Sequence, residues 1–160
     1  MPSSPSVQSI FITSSEGSPM QSVERVEARA GVGLVGDRYA AKTGTFSKKQ
    51  SEAARAKPRD ITLIEIEAIE AARKDYGIEL EPIETRRNVL VRGVALNHLV
   101  GREFTVGTAR IRGIELCEPC GHLEKLTRPG VRAALIHRGG LRAQIVSDGV
   151  IACGDSLTAG

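Results

Sequence analysis

The chain has 160 residues, 41% hydrophobic and 26% charged, the balance expected of one soluble domain built around a single core. A net charge of +3, 3% aromatic content and no Trp argue against base-stacking platforms and a broad basic face, so no nucleic-acid partner is expected. No apolar run reaches the roughly 18–20 residues of a membrane span, and the opening Met1-Pro-Ser-Ser-Pro-Ser has no signal-peptide character, so a cytoplasmic location without membrane contact is expected.

Residues 1–6 read as a flexible tail and 7–160 as one domain. Val7–Thr13 reads as a first strand through its period-2 alternation. Val23–Ala28 is a second, running into the glycine-rich turn Gly31-Val-Gly-Leu-Val-Gly36-Asp37-Arg38. Residues 40–60 carry Lys42, Lys48, Lys49, Arg55, Lys57 and Arg59 against Glu52 and Asp60, and read as a solvated loop or, alternatively, as a basic flap over an anionic ligand. Ile61–Ile64 is a short buried strand. Glu65–Tyr76 is a helix, with Ala68, Ile69, Ala72 and Tyr76 at helical spacing, acidic residues early, Arg73 and Lys74 late, and Gly77 as its stop.

Beyond residue 88 the pattern is β. Asn88–Arg92 is a strand, Ala95–Val100 a turn, and Arg102–Val106 with Ala109–Leu116 a hairpin around Gly107-Thr108. Leu141, Ala143 and Ile145 alternate with Arg142, Gln144 and Val146. Asp148-Gly149 predicts a two-residue turn that returns the chain antiparallel through Val150–Cys153. The fold class is therefore mainly β, a distorted or partly closed barrel of mostly antiparallel strands with a few peripheral helices. No βαβ alternation is evident, which argues against a doubly wound fold.

Cys117, Cys120 and Cys153 form an odd set with no export signal, so reactive or metal-ligating thiols are expected rather than a disulfide framework. In Cys117-Glu-Pro-Cys120-Gly121-His122, Pro119 can start a helical turn whose free N–H groups favour a thiolate at Cys120. Other readings stay open. The two thiols can pack as small apolar groups. Cys117, Cys120 and His122, with His98, His137 or Cys153, can make a zinc site, although no second CxxC exists. Haem attachment needs His directly after the second Cys, where Gly121 stands, and a thioredoxin-like motif needs a βαβ context. Cys153, on its strand, is expected to pack rather than react. Arg86-Arg87-Asn88 at a strand entrance can hold a phosphate or a planar heterocycle, or be surface charge near Glu81 and Glu84. Gly36-Asp37-Arg38 is a tight turn or part of the same site. Gly31-Val-Gly33-Leu-Val-Gly36 matches GxGxxG by letter but lacks the strand–turn–helix context.

In chain order, Gly36-Asp37-Arg38, Arg86-Arg87-Asn88-Val89, Gly101-Arg-Glu-Phe-Thr-Val-Gly107, Cys117-Glu-Pro-Cys120, Gly139-Gly140, Asp148-Gly149-Val-Ile and Gly154-Asp155 resemble the MOSC domain over roughly Val23–Asp155. The resemblance implies a β-barrel that binds the molybdenum cofactor (molybdopterin), with Cys120 as the metal-ligating or sulfur-handling cysteine. It implies cofactor contacts at Arg86 and Asn88, with Arg87, Asp37 and Arg38 as further candidates. Arg87 stands where the reductase branch has proline. Cys117 is an extra thiol that would resolve a disulfide or persulfide, and the N-terminal barrel of larger members has no counterpart here. The implied activity is reduction of small N-hydroxylated substrates at a Cys-ligated molybdenum centre. No flavin, haem or iron–sulfur motif is evident, so electrons would come from a separate electron-donor protein. The alternatives are a non-enzymatic carrier of a Cys120 persulfide filled by a sulfur-donor protein, and a zinc- or disulfide-stabilised binding module.

Overall fold

The computed structural model describes residues 4–15, 17–40, 60–118 and 121–159. The basic segment at 41–59 and the pair Pro119-Cys120 lie outside the described residues. The strands are β1 (Ser6–Ile12), β2 (Gln21–Val23), β3 (Arg25–Arg29), β4 (Gly33–Leu34), β5 (Ile61–Glu65) and β6 (Val89–Arg92). They continue as β7 (Glu103–Val106), β8 (Ala109–Leu116), β9 (Leu141–Ser147), β10 (Gly149–Ala152) and β11 (Leu157–Ala159). Among the described residues three α-helices accompany them, α1 (Ile66–Tyr76), α2 (Gly121–Leu126) and α3 (Val131–Ala134).

The large sheet runs β11-β7-β8-β9-β5-β6-β1-β2, and β10-β3-β4 form a second, smaller sheet. The first half of β1 extends past β2 and meets the chain entering β11. Val7 N–H donates to the Asp155 carbonyl at 2.8 Å, Gly154 N–H donates to the Val7 carbonyl at 2.8 Å, and Ser6 bridges Ser156. No continuous ladder joins β1 to β11. The protein is thus mainly β, a distorted and partly closed barrel with helices on its outside.

Alternation along the strands separates two cores. Ile10, Leu63, Val89 and Val91 point inward with Phe104, Ile111, Leu141 and Ile145. Their neighbours Phe11, Ile64 and Leu90 point outward, where Ala68, Ile69 and Ala72 of α1 and Val131, Ala134 and Leu135 cover them. In β1 the register slips between Val7 and Ser9. That bulge returns Val7 to the same interior as Ile10. Helix α1 ends as expected, with Gly77 left-handed at φ +66, its N–H donating to the Arg73 carbonyl and the Ile78 N–H to the Ala72 carbonyl. Among the described residues no helix is long and apolar enough to cross a membrane.

Two expectations are corrected. β9 and β10 do not pair as a hairpin: β9 pairs with β8 and β5, and β10 pairs with β3 in the other sheet. Gly149 is not among the glycines with positive φ, so Asp148-Gly149 makes no primed turn. Asp148 instead accepts the Ala30 N–H at 2.7 Å, tying the strand exchange to the end of β3. The second correction is that one βαβ unit exists. β5 and β6 are parallel and α1 lies between them. Ile61–Ile64 is buried on both faces, as a strand beside a parallel neighbour must be, and such a run carries no alternation to reveal its partner.

Candidate functional site

The turn after β4 places Asp37 and Arg38 under the surface, 1% and 5% exposed. Asp37 Oδ1 accepts the Thr13 N–H at 3.1 Å and an Arg38 Nη1 proton at 3.2 Å, while Oδ2 accepts the Tyr39 N–H at 3.4 Å. Its carboxylate therefore shapes the turn and orients Arg38. The Arg38 guanidinium lies over the Tyr39 ring, 4.4 Å from its centroid, and its Nη2 donates to the Arg86 carbonyl at 3.0 Å. That bond carries the turn across to the Arg86-Arg87-Asn88 segment.

Arg86 closes a short 3-10 helix (Pro82–Thr85) in the left-handed region at φ +61. This is a conformation that residues other than glycine adopt only where their surroundings enforce it. Here it turns Arg86 and Arg87 to opposite sides. Arg86 Nη1 donates to the Ser18 carbonyl at 2.9 Å. A cavity of about 240 Å³, lined by Thr13, Ser14, Ser18, Gln21 and Gly36 among others, opens beside that anchor. Arg87 goes the other way, Nε to the Gly139 carbonyl at 2.7 Å and Nη2 to the Cys117 carbonyl at 3.1 Å. Asn88 is fully buried. Its Oδ1 accepts from the Thr62 N–H at 3.0 Å and from Thr62 Oγ1 at 3.1 Å, and its Nδ2 donates to the Phe11 carbonyl at 3.1 Å. The amide fastens β1, β5 and β6 together just below the two arginines.

Cys117 follows β8 as a free, buried thiol, its N–H donating to the Gly140 carbonyl at 2.7 Å. Gly140 has φ +110, and a Cβ there would collide with the Leu63 carbonyl, so only glycine lets this turn lie against β5. Cys120, the residue expected to do the chemistry, lies outside the described residues, three positions along the same loop. Between them Glu118 bonds both the backbone N–H and the ring of His137. Cys153 is elsewhere. It packs against the interior core with its thiol 3.7 Å from the Val23 carbonyl, and burial first, then Glu24, pushes the thiol up from its ordinary value.

The expected site residues thus meet along one line, from Asp37 through Arg38, Arg86 and Arg87 to Cys117. Three guanidinium groups stand there, and the Asp37 carboxylate meets that of Arg38. Arg86 and Arg87 form no ion pair with any of those residues. Burial, and then the charge of Arg38, lower the pKa of Arg86. A half-buried guanidinium beside another cation is stabilised by an anion, so this junction is suited to a phosphate or a comparable anionic group. Among the described residues no three His, Cys, Asp or Glu side chains gather as a metal site. Sequence reasoning missed the carbonyl targets of Arg87 and the Glu118–His137 pair. In the sequence His137 offers itself only as a possible fourth zinc ligand, and a separation of 19 positions between the partners carries no signal.

These features define a mainly β domain, a distorted and partly closed barrel, with arginines set against the Cys117 loop. The MOSC domain family model matches residues 50–158, and the chain belongs to that family, which is associated with the molybdenum cofactor. The structure is similar to the YuaD protein from Bacillus subtilis, with a TM-score of 0.78 at 17% identity over 97% of this chain and 94% of that one. It is also similar to YiiM from Geobacillus stearothermophilus, with a TM-score of 0.68 at 16% identity over 98% and 75% of the two chains. YiiM from Escherichia coli gives 0.66 at 15% identity over 97% and 69%. At these identities the likeness is one of fold. No curated protein matches the sequence.

Proposed function

We propose that this MOSC protein binds the molybdenum cofactor, with the Cys120 thiolate as the protein ligand to the metal, and reduces small N-hydroxylated compounds. The observation that carries the reading is the junction of Arg38, Arg86 and Arg87 against the Cys117 loop, a cationic donor set that suits the cofactor's phosphate. When bound, the cofactor supplies oxygen-atom transfer chemistry, and a soft thiolate donor suits its metal. Arg86 would neutralise the phosphate, with Arg38 holding the Arg86 carbonyl and so its backbone in place. Arg87 would fix the path of the cysteine loop through the Cys117 and Gly139 carbonyls. Asn88 and Asp37 act one step behind, holding the strands and the turn that carry the arginines. Electrons would arrive from a separate donor protein.

The test is metal and sulfur analysis of protein expressed with molybdate and purified under reducing conditions. Near-stoichiometric molybdenum with pterin, together with N–O reduction by a chemical reductant, is the expected result. Cyanide-labile sulfur without molybdenum would replace this reading with the persulfide carrier, and stoichiometric zinc would replace it with a metal-stabilised binding module.

A further inference from the structure

Ile66, Ile69, Glu70 and Arg73 recur at i, i+3, i+4 and i+7 and so share one face of α1. After Gly77 the chain turns back, and Ile78-Glu79-Leu80-Glu81 alternates. Ile78 and Leu80 join the outer core, while Glu79 and Glu81 are exposed. Between the helix face and this returning segment lies a cavity of about 310 Å³, with Ile66, Ile69 and Leu80 as its floor and Glu70, Glu79 and Glu81 at its edge. That volume stands at the lower end of the roughly 300–1,000 Å³ of small-molecule pockets, enough for one ring with a short side chain. Two of the edge carboxylates are held in place. Glu70 accepts from Arg92 Nη2 at 3.4 Å, and Glu81 accepts the Glu84 N–H. The one cation in the described lining is Arg73. Its Nε stands 3.8 Å from Glu79 Oε1, too far for a hydrogen bond, and both side chains are largely in solvent, so the pair resists a competing cation only weakly.

We propose that this cavity is a ligand site for a small organic cation, a protonated amine on an apolar body. Three carboxylates against one guanidinium make the lining negative, and the balance stays negative when Arg92 is counted beside Arg73. A cation complements that edge and an anion is repelled by it. The aliphatic floor takes the apolar body, and the ammonium donates charge-assisted hydrogen bonds to the Glu70 and Glu81 carboxylates. A purely polar cation would leave the floor unused, and a neutral apolar molecule would leave the carboxylates to water. No arginine of the cofactor junction lines the cavity, so the site stands apart from the function proposed above and does not depend on it.

The test titrates the purified full chain with 2-phenylethylammonium, its neutral match 2-phenylethanol and its anionic match 3-phenylpropanoate. Methyl NMR follows Ile66, Ile69 and Leu80 in each titration. The ammonium should shift these three methyl groups with a roughly millimolar Kd, in keeping with a ligand of about nine heavy atoms. The alcohol should bind about tenfold more weakly or worse, and the carboxylate should leave the methyl groups unmoved. A double variant, Glu70→Gln with Glu81→Gln, keeps an oxygen for Arg92 and for the Glu84 N–H, so the fold should hold. It should bind amine and alcohol alike. Equal binding of amine and alcohol by wild type, or a preference for the amine that survives in the double variant, would overturn the proposal. So would methyl groups that none of the three probes moves. Shifts of the same methyl groups with protein concentration alone would assign the cavity to a second copy of the chain and overturn it equally.

Discussion

Replacing Asn88 by alanine removes the amide that joins three strands beneath the arginines. The Thr62 N–H and the Phe11 carbonyl, both facing the fully buried side chain, then lose their partners, while Thr62 Oγ1 can turn to another acceptor. Each buried group left unpaired costs about 1–3 kcal/mol, so the loss is about 2–6 kcal/mol. A value near 3 kcal/mol lowers the melting temperature by roughly 6–12 °C in a chain of this size. Asn88→Asp should fare no better, because a carboxylate can still accept from Thr62 but cannot donate to Phe11, and it buries a charge. Urea titrations of both variants measure the effect, with the midpoint falling and the slope unchanged. If Asn88→Ala stays within about 0.5 kcal/mol of wild type, the amide is not a fastener and is available to a ligand instead.

Arg86→Gly separates backbone from charge at the anion site. Glycine suits φ +61, so the fold should hold, while cofactor retention should fall tenfold to over a hundredfold, the equivalent of about 1.5–3 kcal/mol for a lost charged hydrogen bond. Undiminished pterin and molybdenum in well-folded Arg86→Gly would remove Arg86 from the site. At Glu65, burial is the largest influence and holds the carboxyl above its ordinary 4.5, with the Leu96 N–H opposing it and Glu67 adding to it. A folded state that binds the proton more tightly than the unfolded chain loses stability as pH climbs from the ordinary carboxylate value through the folded one. Glu65→Gln keeps an oxygen for the Leu96 N–H, so it should match wild type below about pH 4.5 and exceed it above. The gain should be less than about 1 kcal/mol after solvent screening. A stability difference that narrows with rising pH would reverse the argument.

The elements with a strong local period were legible in the sequence. Helix α1 declared itself by spacing and by Gly77, the β7–β8 hairpin by Gly107-Thr108, and the inward face of β9 by Leu141, Ala143 and Ile145. Choice of partner was less legible, because Asp148-Gly149 looks the same whether the chain doubles back or crosses to another sheet. At the site, the arginines and cysteines could be named from their chemistry and order. The sequence could not show that Arg87 points at backbone carbonyls, that Asn88 is wholly occupied within the sheet, or that Glu118 reaches His137. Those are contacts between residues 19 to 77 positions apart, set by the way the barrel curls.

The central claim is that Cys120 holds the metal and Cys117 does not. It is tested most directly by the molybdenum content of Cys120→Ala and Cys117→Ala, each expressed with molybdate, purified under reducing conditions and compared with wild type. Cys117 is buried at the strand end with its carbonyl held by Arg87, so its replacement should retain molybdenum and alter mainly the sensitivity to oxidation. Cys120→Ala should abolish metal ligation and N-hydroxylamine turnover with the fold intact. Equal loss in both variants would make the two thiols a single dithiol or zinc site, and loss in Cys117→Ala alone would assign the metal to the other sulfur.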